Sequence, residues 1–149
     1  MGVKVGKNCR LYSLSFGSEP YLITIGNHVT ITDGVKFVTH DGGIWAFRDE
    51  EPSADVFGKI IICDNVFIGI NSIILPGVTI GNNTVIGAGS VVTKSYKGSG
   101  VIAGNPAKHI CSFDEYRDKL WKFKLNTKGM KDEEIIRVIE ENPEKLISK

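Results

Sequence analysis

The chain has 149 residues, 42% of them hydrophobic, with 18 Lys+Arg against 17 Asp+Glu and a net charge of +1. That is enough chain for one domain with a substantial core, and it excludes a disordered or collagenous polymer. The balanced charge lacks the basic excess of a nucleic-acid binder, and no apolar run approaches the length of a membrane span. Charges at Lys4, Lys7, Arg10 and Glu19 interrupt the beginning of the chain, so no secretory leader is expected. Cys9, Cys63 and Cys111 are odd in number and widely spaced, which reads as free thiols in the reducing cytoplasm.

In chain order, a weak rhythm starts at Val5 and Leu11 and breaks over residues 15–21. It resumes at Ile25, Ile31 and Phe37, with Val29 and Val35 in phase between them. Residues 39–58 carry no rhythm but hold Trp45, Phe47, Phe57 and five acids, namely Asp41, Asp49, Glu50, Glu51 and Asp55. The strict series follows: Ile62, Ile68, Ile74, Ile80, Ile86 and Val92, each six residues after the last. Four residues after each of the first five stand Val66, Ser72, Val78, Thr84 and Ser90. A third break begins at Lys94 and leads to Val101–Lys108. Beyond residue 110 the spacing becomes helical. Ser112 and Glu115 form a capping-box pattern, and Phe113, Tyr116, Leu120 and Phe123 make one apolar stripe that Asn126–Gly129 ends. A second helix is predicted over about 131–141, with Ile135 and Ile139 on one face and Asp132, Glu133 and Glu134 in its first turn.

A period of six fits neither a helix nor a hairpin sheet. It fits a coil of three short strands whose corners recur every six residues, the large aliphatic pointing inward and the residue four later kept small near a corner. Asn and Gly between them, as at Asn65, Asn71 and Gly77, tolerate the positive φ of tight corners. Coils stack by parallel pairing at roughly 4.8 Å per turn into one continuous core. The fold class is therefore all-β. An excursion as long as 41–58 from such a solenoid is more often functional than accidental, and its aromatics need a surface to cover.

The pattern resembles the hexapeptide-repeat, left-handed parallel β-helix family over about residues 5–110, so the expected division is a β-helix domain 1–110 and a helical extension 111–149. Three stretches make the resemblance specific: Phe37–His40 followed by the long loop; Val66–Asn71 through Leu75–Gly81; and Ile86–Lys94 with Ala103–Lys108. They are similar to the acyl-CoA-dependent acetyltransferases of that fold, in the galactoside, maltose and streptogramin branch, and to sugar O-acetyltransferases of surface-polysaccharide gene clusters. The resemblance implies left-handed coiling, a homotrimer, acetyl-CoA as donor in a groove between neighbouring coils, and no required metal. Carried over by position, it implies His40 as general base and Gly69, Ile70, Ala88, Thr93 and Lys108 as donor-binding residues; Lys94 is added to the donor site for its charge near the end of the coil. Phe67 stands where relatives often have Trp, and Lys108 where they often have Arg.

The residues themselves agree with that chemistry. His40 sits where the rhythm gives way to the aromatic excursion, and a neutral imidazole suits proton removal near neutral pH. Small residues at Gly69, Ala88 and Gly89 leave room for a pantetheine arm, and Lys94, Lys97 and Lys108 suit phosphates. Glu19, Asp33 and Asp41 are candidates to orient His40, with Glu19 attractive because it lies in the first break, about one coil upstream. Trp45 and Asp41 are expected to meet the acceptor. The bet is a sugar hydroxyl; an amino sugar, serine or an antibiotic are the alternatives. His28 reads as a corner residue. Three rival readings remain: an acyl-cysteine route, a zinc enzyme of the same fold, for which His28, His40 and His109 lack the usual paired spacing, and a non-catalytic scaffold.

Overall fold

The structure, a computed structural model, describes residues 2–148. Its first part is a triangular prism wound from strands of two to five residues. One face stacks β1 (Lys4–Val5), β3 (Ile23–Ile25), β6 (Ile60–Ile62) and β9 (Thr79–Ile80). The second stacks β2 (Arg10–Leu11), β4 (Thr30–Ile31), β7 (Val66–Ile68), β10 (Thr84–Ile86) and β12 (Gly100–Gly104). The third stacks β5 (Lys36–Phe37), β8 (Ile73–Ile74) and β11 (Val91–Val92). All of these pairings are parallel; only β13 (Ala107–Cys111) turns back, antiparallel to β12. This is the coil of three short strands that the repeat implies, the left-handed parallel β-helix of the family it resembles.

Register explains the rhythm and its breaks. Ile62 pairs with Ile80, Ile68 with Ile86 and Ile74 with Val92, so each coil takes 18 residues, three sides of six. Phe37 pairs with Ile74 across 37 residues instead of 18, so this coil carries an insertion of 19. Leu11 pairs with Ile31 across 20, which places two extra residues in the first break.

The six-residue positions fill the interior: Ile25, Ile31, Phe37, Ile62, Ile68, Ile74, Ile80, Ile86 and Val92 are all buried. Each buried aliphatic of this size contributes about 1.5–3 kcal/mol. The small positions also face inward, and their hydroxyls meet the corners. Ser72 Oγ donates to the carbonyls of Gly69 and Gly87, Ser90 Oγ to Gly87, and Thr84 Oγ1 to Gly81. Corner carbonyls that no strand pairs are thereby satisfied without water. Asn65, Asn71, Asn83 and His28 take the left-handed corner conformation with φ of 56°, 57°, 53° and 55°. His28 is thus a corner residue, its Nδ1 set 2.8 Å from Asn65 Oδ1. Gly69 is required by closeness: a Cβ there would stand 2.5 Å from Ala88 N and 2.8 Å from Ile86 O on the next coil.

A division of the chain falls between Phe113 and Asp114. The second part holds α2 (Asp132–Glu141) and most of α1 (Phe113–Lys122). α1 is shorter than its apolar stripe predicts. It closes at Lys122, where Phe123 N bonds Leu120 O in a tight last turn, and the chain reaches Gly129 as an irregular segment. α2 starts as its acids predict, with Glu134 Oε2 accepting from Lys131 N at 2.8 Å.

Candidate active site

The excursion leaves the third face after Phe37 and returns at Ile60. Its limbs pair, with Asp41 N bonded to Val56 O at 2.9 Å and Gly58 N to Thr39 O at 2.8 Å. A 3-10 helix, Gly42–Phe47, follows Asp41, whose carboxylate caps it by accepting from Gly43 N at 2.9 Å. Arg48 then staples the far limb: its guanidinium donates to Pro52 O at 3.1 Å, Ala54 O at 2.7 Å and Asp55 Oδ1 at 3.3 Å. The result is a cleft of about 330 Å³. His40 and Glu19 line it together with Asp41, Arg48 and Asp55, and Ile44, Trp45, Val56 and Phe57 supply its apolar surface. Of the five acids in the excursion, only Asp41 and Asp55 line the cleft.

Glu19 reaches this cleft because of the first break. Gly17 lies directly under the next coil, where an added Cβ would come within 2.9 Å of Phe37 O, and the residues that follow carry Glu19 outward. Its Oε2 lies 3.0 Å from His40 Nδ1 and accepts from Thr39 Oγ1 at 2.6 Å. Glu19 is therefore the carboxylate in contact with the histidine, while Asp41 is engaged as a helix cap. The Thr39 hydroxyl and then His40 hold the Glu19 carboxyl below the usual carboxylate range. An ionised carboxylate only accepts, which assigns the proton of the neutral imidazole to Nδ1 and leaves Nε2 as a bare lone pair. The ring is 45% exposed and meets Phe57 edge-on, with centroids 6.5 Å apart.

The lowered carboxyl has a consequence for stability. A carboxyl that binds its proton less readily when folded stabilises the fold above the ordinary carboxylate range, and this contribution disappears as the pH falls through the lowered value. Glu19→Gln is therefore less stable than wild type at neutral pH, and the two melting curves converge in acid. Thermal melts across that range check it; a constant gap down to strongly acidic pH contradicts the ionised pairing.

The structure gathers four of the predicted site residues, His40, Glu19, Asp41 and Trp45, in this cleft. The others lie elsewhere. Gly69 and Ile70 precede β8 and Ala88 precedes β11, so they share the edge of the third face opposite to the one His40 leaves. Lys108, paired with Ala103, continues that edge, since a Cβ on Gly87 would meet Ala103 Cβ at 2.8 Å. Thr93 and Lys94 follow β11 on the edge of His40, two coils or about 10 Å further along the axis. Spacing and motif singled out neither Thr39 nor Arg48. Thr39 is hidden by its ordinariness, whereas an arginine inside an acidic excursion was a readable signal. Among the described residues, no group of three or more potential metal-ligating side chains comes together. His28 and His109 instead engage Asn65 and Tyr96. None of the three cysteines lines the cleft. No helix among the described residues is long and apolar enough to cross a membrane.

Residues 59–94 match the family described as bacterial transferase hexapeptide (six repeats). The chain is 59% identical to protein CapG of Staphylococcus aureus over 123 residues, 80% of this chain and 72% of CapG. It is 38% identical to galactoside O-acetyltransferase of Escherichia coli over 107 residues, 71% of this chain but 51% of that enzyme. The crystal structure of the hexapeptide-repeat acetyltransferase VCA0836 from Vibrio cholerae superposes with a TM-score of 0.64 at 29% identity, over 74% of this chain and 62% of the other. A β-helix of six-residue sides with these relatives defines an acyltransferase. The chain belongs to the hexapeptide-repeat family of bacterial transferases, as one of its acetyltransferases.

Proposed function

We propose that the chain moves an acetyl group from acetyl-CoA to a hydroxyl of a sugar, in surface-polysaccharide assembly in the cytoplasm, with His40 as general base. The observation that carries this reading is the His40–Glu19 pair at 3.0 Å in a cleft walled by Trp45, Val56 and Phe57. A thioester supplies the activated acyl carbon. His40 Nε2 takes the proton of the acceptor hydroxyl as its oxygen attacks that carbon, and Glu19 steadies the imidazolium. The imidazolium then returns the proton to the departing sulfur, so ring and carboxylate end as they began. Trp45 offers a flat apolar face to a sugar ring, and Asp41 a carboxylate to its hydroxyls.

Donor binding fits the opposite edge. Ile70 and Ala88 are exposed, and Gly89 has open space where a Cβ would stand, so a slender amide-bearing arm can lie along the backbone there. Exposed Lys108 continues that edge and suits its phosphates, while exposed Lys94 lies on the edge of His40 and reaches them only from the other side of a crevice between copies. Because the third face separates this edge from His40, the two halves of the reaction meet only when a second copy brings its edge to the cleft. That requirement supports a homotrimer, in which each crevice pairs His40 of one protomer with exposed Ile70 and Ala88 of the next, while Gly69, buried between coils, lets that shelf lie close to the prism.

The direct test is a panel of sugars, amino sugars, serine and antibiotics incubated with acetyl-CoA and read by release of free thiol. The expected result is release with a sugar hydroxyl acceptor. Release with serine or an amine alone, with every sugar inert, overturns the acceptor class. Absence of any thermal stabilisation by acetyl-CoA overturns the donor.

A further inference from the structure

Thr39 is only 1% exposed, yet its hydroxyl is spent on the same carboxylate oxygen that holds the histidine ring. Consecutive residues of an extended segment point to opposite sides. Thr39 accordingly faces inward and His40 outward, and Glu19 Oε2 bridges the two at 2.6 and 3.0 Å. The backbone beneath is fixed, since Thr39 O accepts from Gly58 N of the returning limb at 2.8 Å. The carboxylate is held less firmly: Glu19 sits on a break between strands, at the end of a side chain with several rotatable bonds, and its own backbone N–H is the weakest of the groups that favour its ionised form. One short bond from a buried, immobile hydroxyl removes that freedom.

We propose that Thr39 is a positioning residue: its buried hydroxyl fixes the Glu19 oxygen that holds His40 Nδ1, so that Nε2 stays presented to the acceptor. This rests on the reading of His40 as the base. Without the hydroxyl, Glu19 turns toward water, the ring loses its fixed orientation and the Nε2–H tautomer becomes populated. Binding of either substrate does not depend on Thr39, so the loss falls on turnover.

The test compares Thr39→Val, which keeps the shape and removes the hydroxyl, with Thr39→Ser, which keeps the hydroxyl. In acetyl-transfer assays T39V is expected to lose about 10- to 100-fold in kcat, with the KM of donor and acceptor unchanged and T39S close to wild type. The T39V/E19A double variant is expected to be no slower than E19A, because Thr39 acts through the Glu19 side chain, which E19A removes. Equal losses in T39V and T39S, a loss in KM instead of kcat, or losses that simply multiply in the double variant overturn the proposal. Nitrogen NMR of the His40 ring reads the same point without catalysis: Nδ1–H alone in wild type and T39S, a mixture in T39V. An unchanged tautomer in T39V overturns the proposal even if the protein transfers acetyl groups to nothing. An inactive wild type with the expected tautomer pattern instead overturns the functional reading and leaves the positioning intact. If T39V does not fold, Thr39→Ala carries the same expectations.

Discussion

Replacing His40 by Ala lowers turnover by about 10²- to 10⁴-fold, the span that a positioned general base contributes. The ring is nearly half exposed and packs into no core, so its loss removes one hydrogen bond and one edge contact and leaves the prism whole. Residual rate comes from holding donor and acceptor together. The variant therefore melts close to wild type, still responds to acetyl-CoA, and fails at the chemical step. Glu19→Gln is milder, because a neutral amide still orients the ring but no longer steadies its positive charge. Steady-state thiol release with the best acceptor of the panel measures both. Near-normal kcat in His40→Ala removes this residue from the mechanism.

The largest effect on stability is expected at Ile68. It is fully buried and sits mid-stack on the second face, paired with Ile31 on one side and Ile86 on the other. Neighbouring coils are tied by backbone hydrogen bonds and cannot collapse into a void, so Ile68→Ala costs about 2–5 kcal/mol. For a chain of this size that lowers the melting temperature by about 2–4 °C per kcal/mol. Phe67 is the contrast: one residue earlier, it points outward and is 40% exposed. Phe67→Ala is expected to shift the melt far less. Equal shifts at the two positions contradict the inward reading of the six-residue series.

Much of this was legible in the sequence for a physical reason. Six-residue sides force the same choice at every corner, so Ile62 through Val92 repeat one decision six times. Each break in the rhythm also carried meaning: the insertion after Phe37 builds the cleft, and the two extra residues before Ile25 deliver Glu19 to His40. What could not be read was side-chain aim. Among Asp33, Asp41 and Glu19 the sequence favoured Glu19 only by its place in the first break, and it takes the stacking of the first coil under the second to bring its carboxylate against the histidine while Asp41 caps a helix. Thr39 was invisible because a threonine just beyond a strand is ordinary until its hydroxyl is seen to face a carboxylate. The end of α1 was missed because an apolar stripe records which face is covered and says little about where the last turn tightens.

In the proposed reaction the centre is assembled from two copies, a base from one and a donor shelf from the next. Mixed assembly tests it most directly. His40→Ala removes the base, and Ala88→Trp fills the exposed shelf before β11. Each variant alone is expected to be inactive. Co-assembled in equal amounts, they regain about a quarter of wild-type thiol release, because random assembly brings an intact His40 against an intact Ala88 at that frequency. A mixture as inactive as its components contradicts the claim.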